Sequence, residues 1–363
     1  MRLLIFTLEY PPFKGGVAVV YGTIKKYWPE PENIFVLDNN KGKLISRILP
    51  KYKWIPSIWR LWFYVKRKKI DHVIVGHILP LGISAFILSK FMKIKYSIYL
   101  HGLDYNVAFK TERKSWIVQK ILNNADKIIC SNSYVAGLVK EEQGKKCEDK
   151  IIISNPTILP EKINEGLAKQ LKEKYQLEGK IVMLSISRLV KRKGFDHVLE
   201  VMPEIIKEVP NAYYFIGGGG PDEEYLKEKW QALPEDIRSH VQFLGRVTDE
   251  EKWAWLSVCD MFLMPSRKIN GDVEGFGIVY LEANLAGKAV VAGNSGGVGD
   301  AVVNNVNGFL VNPDDKNEIV RAIIRLALDK ELRCRLGVQG EKRALNEFSP
   351  KTQIELLYKK LNS

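Results

Sequence analysis

The sequence lacks the features that are typical of secreted, metal-stabilised or membrane-spanning chains. Its 363 residues include four cysteines, and no two of them lie close together in the chain. They are Cys130, Cys147, Cys259 and Cys334. This spacing supports neither a disulfide framework nor a zinc knuckle, so reduced thiols in a cytoplasmic protein are the simplest interpretation.

Long hydrophobic runs are missing as well. The longest apolar segment, 79–92, is interrupted by a proline and a lysine and is shorter than the roughly 20 residues that a spanning helix needs. The apolar run at the amino terminus ends at Leu8, which is too short for a signal peptide and typical of a first strand. No transmembrane helix is expected.

Two further absences disfavour particular chemistries. The histidines other than His101 show no metal-ligand spacing with a carboxylate, so neither a zinc site nor a metal cofactor is expected. They are His72, His77, His197 and His240. The early glycines Gly15, Gly16 and Gly22 do not form the dinucleotide fingerprint, which disfavours a nicotinamide enzyme.

Positive charge is concentrated in the first half of the chain. The net charge is +13; residues 1–165 carry 27 lysines and arginines against 14 acidic residues, whereas residues 166–363 carry 28 of each kind. This asymmetry favours an anionic partner for the first half, such as a membrane surface, a lipid phosphate or a nucleic acid.

Strand-like and helix-like runs alternate through both halves. Continuous β-branched runs such as 72–75, 127–130 and 181–187 predict strands of parallel sheets that are covered on both faces. A break at Asn155-Pro156-Thr157 places a linker near 155–161. The predicted fold class is therefore α/β, with two sequential doubly wound, Rossmann-like domains.

Two glycine-rich turns and one histidine follow predicted strands. Tyr10-Pro11-Pro12-Phe13-Lys14-Gly15-Gly16 precedes the first helix, and residues 217–220 are all glycine. Both turns can present amides to an anion, although a plain flexible turn explains the second equally well. His101 opens the turn His101-Gly102-Leu103-Asp104 and can hydrogen-bond a ligand, with a structural role as the alternative.

A cluster of cations follows the first strand of the second half, in Ser187-Arg188-Leu189-Val190-Lys191-Arg192-Lys193-Gly194. Arg188 can hold a phosphate by two parallel hydrogen bonds, and Lys193 stands where the next helix begins and its dipole adds positive charge. Together they suit a diphosphate. A solvent-facing basic loop is the alternative.

Two glutamates flank a further glycine turn. Glu274 precedes Gly275-Phe276-Gly277, and Glu282 is expected one turn inside the following helix. The glycines allow close approach of a ligand, and the amides up to Ile278 are donors at a helix N-terminus. The loop 294–297 is expected to line the same site. The alternative is an amphipathic helix whose glutamates are solvated.

In their order and spacing, these stretches resemble the retaining glycosyltransferases of family 4. The resemblance rests on Tyr10-Pro11-Pro12 with Gly15-Gly16, on Ser187-Arg188-Leu189 with Lys193-Gly194, and on 274–282. It implies the GT-B architecture, in which two Rossmann-like domains face a central cleft. Residues 1–158 would bind the acceptor and 159–347 the nucleotide sugar; 348–363 would form a C-terminal helix, with packing on the N-terminal domain as one option.

The resemblance also implies roles for single residues. Arg188 and Lys193 would hold the donor diphosphate, Glu274 the sugar hydroxyls and Glu282 the ribose, while His101 would contact the transferred sugar. The implied catalytic set is Arg188, Lys193, Glu274 and His101. The implied donor-binding set is Gly15, Gly16, Gly275, Phe276, Gly277, Ile278 and Glu282. No metal is implied, because the cations would stabilise the leaving phosphate.

Two stretches, 188–194 and 272–280, are similar to the branch of phosphatidylinositol mannosyltransferases that use GDP-mannose. Mannose from GDP-mannose is therefore favoured over UDP-sugars, and a lipid-linked or glycan acceptor of the cell envelope is implied. One departure is Val298-Gly299-Asp300, where relatives commonly carry proline and glutamate.

The segment 43–69 interleaves aromatic and basic residues, including Trp54, Trp59, Trp62 and the run Lys66-Arg67-Lys68-Lys69. This pattern suits an amphipathic segment on an anionic membrane, and so a peripheral attachment to the cytoplasmic membrane face. Tryptophans buried against the sheet, with a solvated basic end, are an equally good explanation.

Three other functions remain open at this point. A nucleotide-sugar epimerase would use the same fold without an acceptor. A non-catalytic nucleotide-sugar binder would need the same donor residues. A nucleic-acid binder would use the basic half, although that half contains no recognised nucleic-acid module, so no nucleic acid is expected.

Overall fold

The structure is a computed structural model that describes residues 1–13, 15–46, 52–102 and 111–363. Lys14, residues 47–51 and Leu103-Asp104, which belong to stretches singled out above, lie outside the described residues. The chain divides into two compact units. One comprises Met1–Thr157 with Pro350–Ser363, and the other comprises Ile158–Ser349.

The first unit alternates strands and helices. Its strands are β1 (Leu3–Phe6), β2 (Ile34–Leu37), β3 (His72–Val75), β4 (Lys95–Leu100), β5 (Lys127–Cys130) and β6 (Ile151–Ile153). Its helices before the linker are α1 (Gly16–Tyr27), α2 (Ile55–Lys68), α3 (Leu81–Phe91), α4 (Glu112–Asn124) and α5 (Ser133–Gln143). Short 3-10 helices lie at Pro31–Asn33 and Gly144–Lys150.

The strands of the first unit form one parallel sheet in the order β2-β1-β3-β4-β5-β6. Alternate residues of β1 enter different cores: Leu4 and Phe6 pack with side chains of α2 to α5, and Leu3 and Ile5 with side chains of α1. Because β2 and β3 lie on opposite sides of β1, the strand order reverses between β1 and β3. Loops diverge at such a reversal and leave a crevice beyond the carboxyl ends of the strands.

The second unit repeats this plan. Its strands are β7 (Ile181–Ile186), β8 (Ala212–Gly217), β9 (Val241–Gly245), β10 (Met261–Met264), β11 (Ala289–Gly293) and β12 (Gly308–Val311). Its helices are α6 (Glu165–Lys174), α7 (Phe195–Glu208), α8 (Glu223–Gln231), α9 (Glu235–Arg238), α10 (Asp249–Val258), α11 (Ile278–Leu285), α12 (Val298–Ala301), α13 (Lys316–Leu328) and α14 (Lys330–Glu347). A 3-10 helix spans Lys191–Lys193.

The second sheet is also parallel, in the order β12-β11-β10-β7-β8-β9. Helices α7 and α13 pack in one hydrophobic cluster with the sheet, and α6, α10 and α11 pack in the other. The strand order reverses between β7 and β10, so the loops after these two strands flank the crevice of this unit. The prediction of two doubly wound parallel domains is confirmed.

The N-terminus of α10 shows how local sequence starts a helix. The Thr248 side chain accepts a hydrogen bond from the amide of Glu251, and the Glu251 carboxylate accepts one from the amide of Thr248. The sequence Thr248-Asp249-Glu250-Glu251, a threonine followed three residues later by a glutamate, predicts this reciprocal capping box, which the structure confirms.

The last helix, α15 (Pro350–Asn362), belongs to the first unit. Its apolar residues Ile354, Leu357 and Leu361 are buried in the same cluster as Ile24 and Trp28. The Tyr358 hydroxyl donates a hydrogen bond to the Glu30 carboxylate. Helices α1 and α15 therefore cover one face of the first sheet together.

No helix within the described ranges is both long enough and apolar enough to span a bilayer.

Leu357 and Leu356 provide a matched test of this packing. Leu357 is 1% exposed and Leu356, its neighbour on α15, is 45% exposed. We expect Leu357→Ala to lower the free energy of unfolding of the first unit by about 2–5 kcal/mol, because it leaves a cavity, and Leu356→Ala to change it by less than about 1 kcal/mol. Guanidinium denaturation measures both, and equal effects would contradict this packing of α15.

Candidate active site

The second unit brings two polar loops together at its strand reversal. The loop after β7 contains the cations 188–193, and the loop after β10 leads to Glu274. Gly194 is where the loops touch: a Cβ there would lie 2.2 Å from the carbonyl oxygen of Pro265, and its φ is +79°. Only glycine fits a left-handed position so close to another backbone. The turn that carries Lys193 is thereby held against the loop after β10.

A cation–carboxylate cluster occupies this meeting point. The Lys193 ammonium lies 2.6 Å from Glu274 Oε2, and Arg192 Nη1 donates to the same oxygen at 2.9 Å. Arg192 Nε also donates to Asp272 Oδ2 at 3.0 Å. Lys193 and Glu274 are both buried. A lysine is almost never this buried without a partner, so the carboxylate of Glu274 is what allows a cation to stay at the crevice.

The turn after Glu274 is shaped by Tyr280. The Tyr280 hydroxyl donates to the carbonyl of Met264 at 2.6 Å and lies 3.1 Å from Ser266 Oγ, and burial raises the pKa of this phenol. Its ring comes so close that a Cβ on Gly277 would lie 2.3 Å from it. With a φ of +81°, Gly277 therefore has both a steric and a conformational reason to be glycine.

Helix α11 begins immediately after this turn. Ile278 is its first residue, and Glu282 lies one turn further on, as the sequence predicted. In the part of the chain that the structure describes, the amides of Phe276, Gly277 and Ile278 have no backbone acceptor. The ring of Phe276 is buried and packs against Phe348.

The glycine loop after β11 contacts the backbone carbonyl of Glu274. The amide of Gly297 donates to the carbonyl of Glu274 at 2.9 Å, and a Cβ on Gly296 would lie 2.2 Å from that oxygen. Ser295 Oγ is buried and, among the described residues, has no hydrogen-bond partner. The loop was expected to line the site, and it contacts the backbone of Glu274.

Arg188 lines a separate cavity of about 530 Å³ beside the glycine run after β8. Arg246 also lines this cavity, and its Cγ would lie 3.2 Å from a Cβ on Gly219. A Cβ on Gly218 or Gly220 would lie about 2 Å from a carbonyl oxygen of the β7 loop. These glycines therefore allow two backbones to pack closely, so the run is more than a flexible turn.

Glu282 has an ion pair of its own. The Lys252 ammonium lies 2.6 Å from Glu282 Oε1 and 3.2 Å from Asp249 Oδ1. Burial lowers the pKa of Lys252, but the two carboxylates outweigh it and hold that pKa above its usual value. Glu282 is therefore ion-paired in the structure, as Glu274 is.

A buried ion pair between Arg267 and Asp196 connects the start of α7 with the loop after β10. Arg267 donates two hydrogen bonds to Asp196, from Nη1 at 2.8 Å and from Nη2 at 2.6 Å, while its amide donates to the carbonyl of Arg192 at 2.8 Å. Burial raises the pKa of Asp196, yet the Arg267 guanidinium holds it below its usual range. This pair fixes the start of α7 relative to the loop after β10.

His101 and the Gly15-Gly16 turn lie in the first unit. Burial and, to a smaller extent, the electrostatic effect of nearby His77 lower the pKa of His101 to about 3, so its imidazole is neutral. His101 Nε2 lies 2.8 Å from the Tyr21 hydroxyl, which donates to the carbonyl of Gly76, and its ring stacks on Tyr99 at 4.6 Å. Gly15 is the N-cap of α1, the helix that carries Tyr21.

The predicted residues thus fall into separate groups. Lys193 and Glu274 are in direct contact, whereas Arg188 lines the neighbouring cavity and Glu282 pairs with Lys252. Sequence reasoning assigned no role to Arg192, Lys252 or Arg246. Arg192 lies within the cationic stretch 187–194. No local sequence pattern indicates that it binds Asp272 and Glu274, which lie about 80 residues later in the chain. Within the described ranges, no group of histidine, cysteine and acidic side chains could hold a metal.

Comparisons with known proteins agree with this geometry. The description "Glycosyl transferases group 1" matches residues 168–343, and "Glycosyltransferase Family 4" matches residues 16–157. With two doubly wound parallel units, the chain has the GT-B fold. The matching families and relatives make it an enzyme of the hexosyltransferase class. The chain belongs to glycosyltransferase family 4.

Its curated relatives include mannosyltransferases. One is the GDP-mannose-dependent alpha-(1-6)-phosphatidylinositol monomannoside mannosyltransferase of Mycobacterium tuberculosis, which is 36% identical over 93% of this chain and 92% of its own length. Another is the corresponding enzyme of Corynebacterium glutamicum that is named for a monoacylated substrate, which is 29% identical over 96% of this chain and 94% of its own length.

Solved structures share the fold at low sequence identity. A UDP complex from Anabaena has a TM-score of 0.77 and 18% identity, with all of both chains covered. A glycosyltransferase from Rickettsia africae has a TM-score of 0.78 and 18% identity, covering 99% of this chain and 97% of its own.

The contact between Lys193 and Glu274 can be measured by a double-mutant cycle. We expect Lys193→Met and Glu274→Gln each to lower the free energy of unfolding of the second unit by about 1–3 kcal/mol, because each leaves a buried charge with fewer partners. The double variant should lose at least about 1 kcal/mol less than the sum of the singles. Chemical denaturation provides these values.

Lys191→Met is the control for this cycle, since Lys191 is exposed in the same loop. Its expected effect is within about 0.5 kcal/mol. Single effects that add without an interaction energy would contradict a direct contact.

Proposed function

We propose that this enzyme transfers mannose from GDP-mannose, with retention of anomeric configuration, to a lipid-linked acceptor. The contact between Lys193 and Glu274 at the strand reversal carries this proposal. It places a buried cation beside a carboxylate that can accept hydrogen bonds from sugar hydroxyls. A nucleotide-diphosphate sugar has the complementary groups: an anionic diphosphate joined to a neutral polyol.

The donor would exchange partners with this cluster. In the structure Lys193 pairs with Glu274, whereas a bound donor would bring a diphosphate with two negative charges to the same ammonium group. When the diphosphate binds Lys193, Glu274 keeps Arg192 as its cation and its freed lone pairs can accept from a sugar hydroxyl. Arg192 also stays fixed to Asp272, so the glutamate does not lose its position.

Arg188 and Lys193 would act on the leaving group. As the bond between the sugar and the phosphate breaks, negative charge grows on the diphosphate, and fixed cations stabilise that charge more in the transition state than in the substrate. Arg188 lies beside a cavity that also has the guanidinium of Arg246. Two guanidinium groups over a glycine run suit a phosphate that needs planar, bidentate donors.

The remaining predicted residues have roles that follow from their positions. Glu282 would accept from ribose hydroxyls once Lys252 turns to Asp249, and the amides of 276–278 would donate to sugar oxygens. His101, being neutral, can donate or accept at a sugar hydroxyl without adding charge. Gly15 and Gly16 would let the start of α1 approach the donor. Charge stabilisation then comes from side chains, and the proposal includes no metal.

The choice of GDP-mannose rests on similarity. Two of the relatives that match over nearly the whole chain are named as GDP-mannose-dependent, and the stretches 188–194 and 272–280 are similar to that branch. Screening GDP- and UDP-sugars for turnover tests the choice directly. Isomerisation of the donor without an acceptor would instead indicate the epimerase, which the family membership does not favour.

Lys193 and Lys191 provide a matched pair for the donor site. Lys193 is buried against Glu274, whereas Lys191 is exposed two residues earlier. We expect Lys193→Ala to reduce kcat/KM for sugar transfer at least about 100-fold, because the leaving diphosphate loses a fixed cation, and Lys191→Ala to reduce it less than about threefold. Steady-state kinetics measure both.

Full transfer activity in Lys193→Ala would contradict the assignment of Lys193 to the donor site. Because the substitution removes a buried ion pair, activity is compared at a temperature where each variant is folded.

The first unit has a surface that suits an anionic membrane. Helix α2 buries Leu61 and Val65 and packs Trp62 partly against the core, but Trp59 is 66% exposed and Phe63 is 54% exposed. One helix therefore packs Trp62 against the core and leaves Trp59 and Phe63 exposed to solvent. Trp59 and Phe63 are four residues apart, so they lie on the same side of α2.

Neighbouring helices also expose aromatic rings. Helix α2 packs on α3 and α3 on α4, and these helices expose Phe91 and Trp116. Helix α2 carries four basic and no acidic residues; they are Arg60, Lys66, Arg67 and Lys68. Exposed aromatic rings among cations are complementary to the interface of an anionic bilayer. We propose that this surface, the aromatic face of α2 to α4, holds the enzyme at the membrane that contains its acceptor.

Vesicle flotation tests the aromatic face. We expect wild type to float with phosphatidylserine vesicles at low salt, and Trp59→Ala/Phe63→Ala to bind at least about tenfold more weakly, since each ring contributes more than about 1.4 kcal/mol on leaving water. Trp59→Phe/Phe63→Trp keeps two aromatic rings and should bind like wild type. Equal binding by all three proteins, or none by wild type, would contradict this role.

A further inference from the structure

The first unit has its own strand reversal, between β1 and β3, and the loops there carry a pair of side chains that the donor site does not use. Glu9 follows β1 and His77 follows β3. His101 follows β4, the neighbour of β3 in the sheet. The crevice at a strand reversal is where open α/β sheets bind ligands. The chemistry of Glu9 and His77 is therefore relevant to what the first unit binds.

The two side chains face each other without touching directly. His77 Nε2 lies 3.8 Å from Glu9 Oε1, which is beyond hydrogen-bond length. Other groups hold each of them in place. The amide of Leu8 donates to His77 Nδ1 at 3.4 Å, and the amide of Glu9 donates to Thr7 Oγ1 at 3.2 Å.

These contacts determine which atoms of the pair can bind a ligand. Because Nδ1 of His77 accepts the amide hydrogen of Leu8, the imidazole proton is on Nε2, which points toward Glu9. Burial lowers the pKa of His77, although Glu9 opposes the shift, so the ring is neutral near pH 7. The pair therefore offers one N–H donor and one carboxylate acceptor, less than 4 Å apart.

Glu9 also reaches the turn that begins α1. A Cβ on Gly15 would lie 3.5 Å from Glu9 Oε2, so the carboxylate extends from His77 on one side to the glycine turn on the other. The side chains of His77 and Glu9 are 17% and 32% exposed, which leaves both accessible to a solute. A purely structural ion pair would not need the second carboxylate oxygen placed over a glycine.

We propose that Glu9 and His77 form the acceptor-binding pair of this enzyme and together bind one hydroxyl group of the acceptor sugar. A hydroxyl is both a donor and an acceptor, so its oxygen can accept from His77 Nε2–H while its hydrogen is donated to Glu9 Oε1. A gap of 3.8 Å suits an oxygen that bridges the two groups. An anionic ligand would be repelled by Glu9, and a cation would find no second carboxylate in this pair.

This inference rests on the proposed function, because it needs an enzyme that transfers sugar to a hydroxylated acceptor. The donor residues proposed above are concentrated in the second unit, in Arg188, Lys193, Glu274 and Glu282. Substitutions of Glu9 and His77 should therefore change acceptor recognition and leave nucleotide affinity almost unchanged. That difference separates an acceptor-binding pair from a general loss of structure.

The test uses the full chain with GDP-mannose and phosphatidylinositol monomannoside, the acceptor named for the relatives. His77→Asn keeps an acceptor near Leu8 N–H but loses the Nε2 donor, and Glu9→Gln keeps the shape of the side chain but loses its charge. We expect each to raise the KM for the acceptor at least about tenfold, while the Kd for GDP, measured by calorimetry, stays within about twofold. Glu32→Gln, an exposed glutamate of the same unit, is the control and should match wild type.

Monodeoxy analogues of the acceptor sugar provide the readout that a structural role would not change. Wild type should discriminate at least about tenfold against the analogue that lacks the bound hydroxyl, since the pair is then left unpaired. In His77→Asn and Glu9→Gln this discrimination should fall to about twofold or less.

The outcomes separate the two proposals. Wild type that binds GDP but transfers to no acceptor contradicts the proposed function, and this inference with it. Wild type that transfers, together with variants that keep both the acceptor KM and the discrimination among analogues, overturns this inference alone.

Discussion

The proposed donor site depends on a lysine that pairs with a carboxylate while it is almost removed from water. Lys193 can occupy that position because Glu274 accepts from it at 2.6 Å, and Glu274 in turn is held by Arg192. An isolated buried charge would cost several kcal/mol, so the cation and the carboxylate require each other. In the proposed function, a diphosphate would replace the carboxylate at Lys193 and release it toward a sugar.

Close backbone contacts give this cluster its geometry. Gly194 lets the loop after β7 touch the loop after β10, and Gly296 lets the loop after β11 lie against the carbonyl of Glu274. Gly277 leaves room for the ring of Tyr280, whose hydroxyl is bonded to the end of β10. In each case a side chain would collide with neighbouring atoms. The glycines are therefore part of the site, because they determine how near one loop can come to another.

The two units use the same topology for different chemistry. Each has a parallel sheet whose strand order reverses once, and each places polar side chains in the loops at that point. In the second unit these are cations paired with carboxylates, which suit a diphosphate. In the first unit they are the neutral imidazoles of His77 and His101 beside one carboxylate, Glu9, which suit hydroxyl groups. A division between an anionic donor and a polyhydroxyl acceptor matches this difference in charge.

Local patterns in the sequence were enough to predict the two α/β domains, the capping box at Thr248 and the position of Glu282 one turn into a helix, because periodicity and caps act over a few residues. They also led to Arg188, Lys193 and Glu274 as candidates, whose roles remain proposals. Other pairs of charged and polar residues were decided only by the tertiary structure: Arg192 with Asp272, Lys252 with Glu282, and Glu9 facing His77. Each pair joins residues that are 30 to 80 positions apart, and only the order of strands in the folded sheets brings them together. Which tryptophans of α2 are exposed was likewise decided by packing against the core, since one helix buries some of its aromatic rings and exposes others.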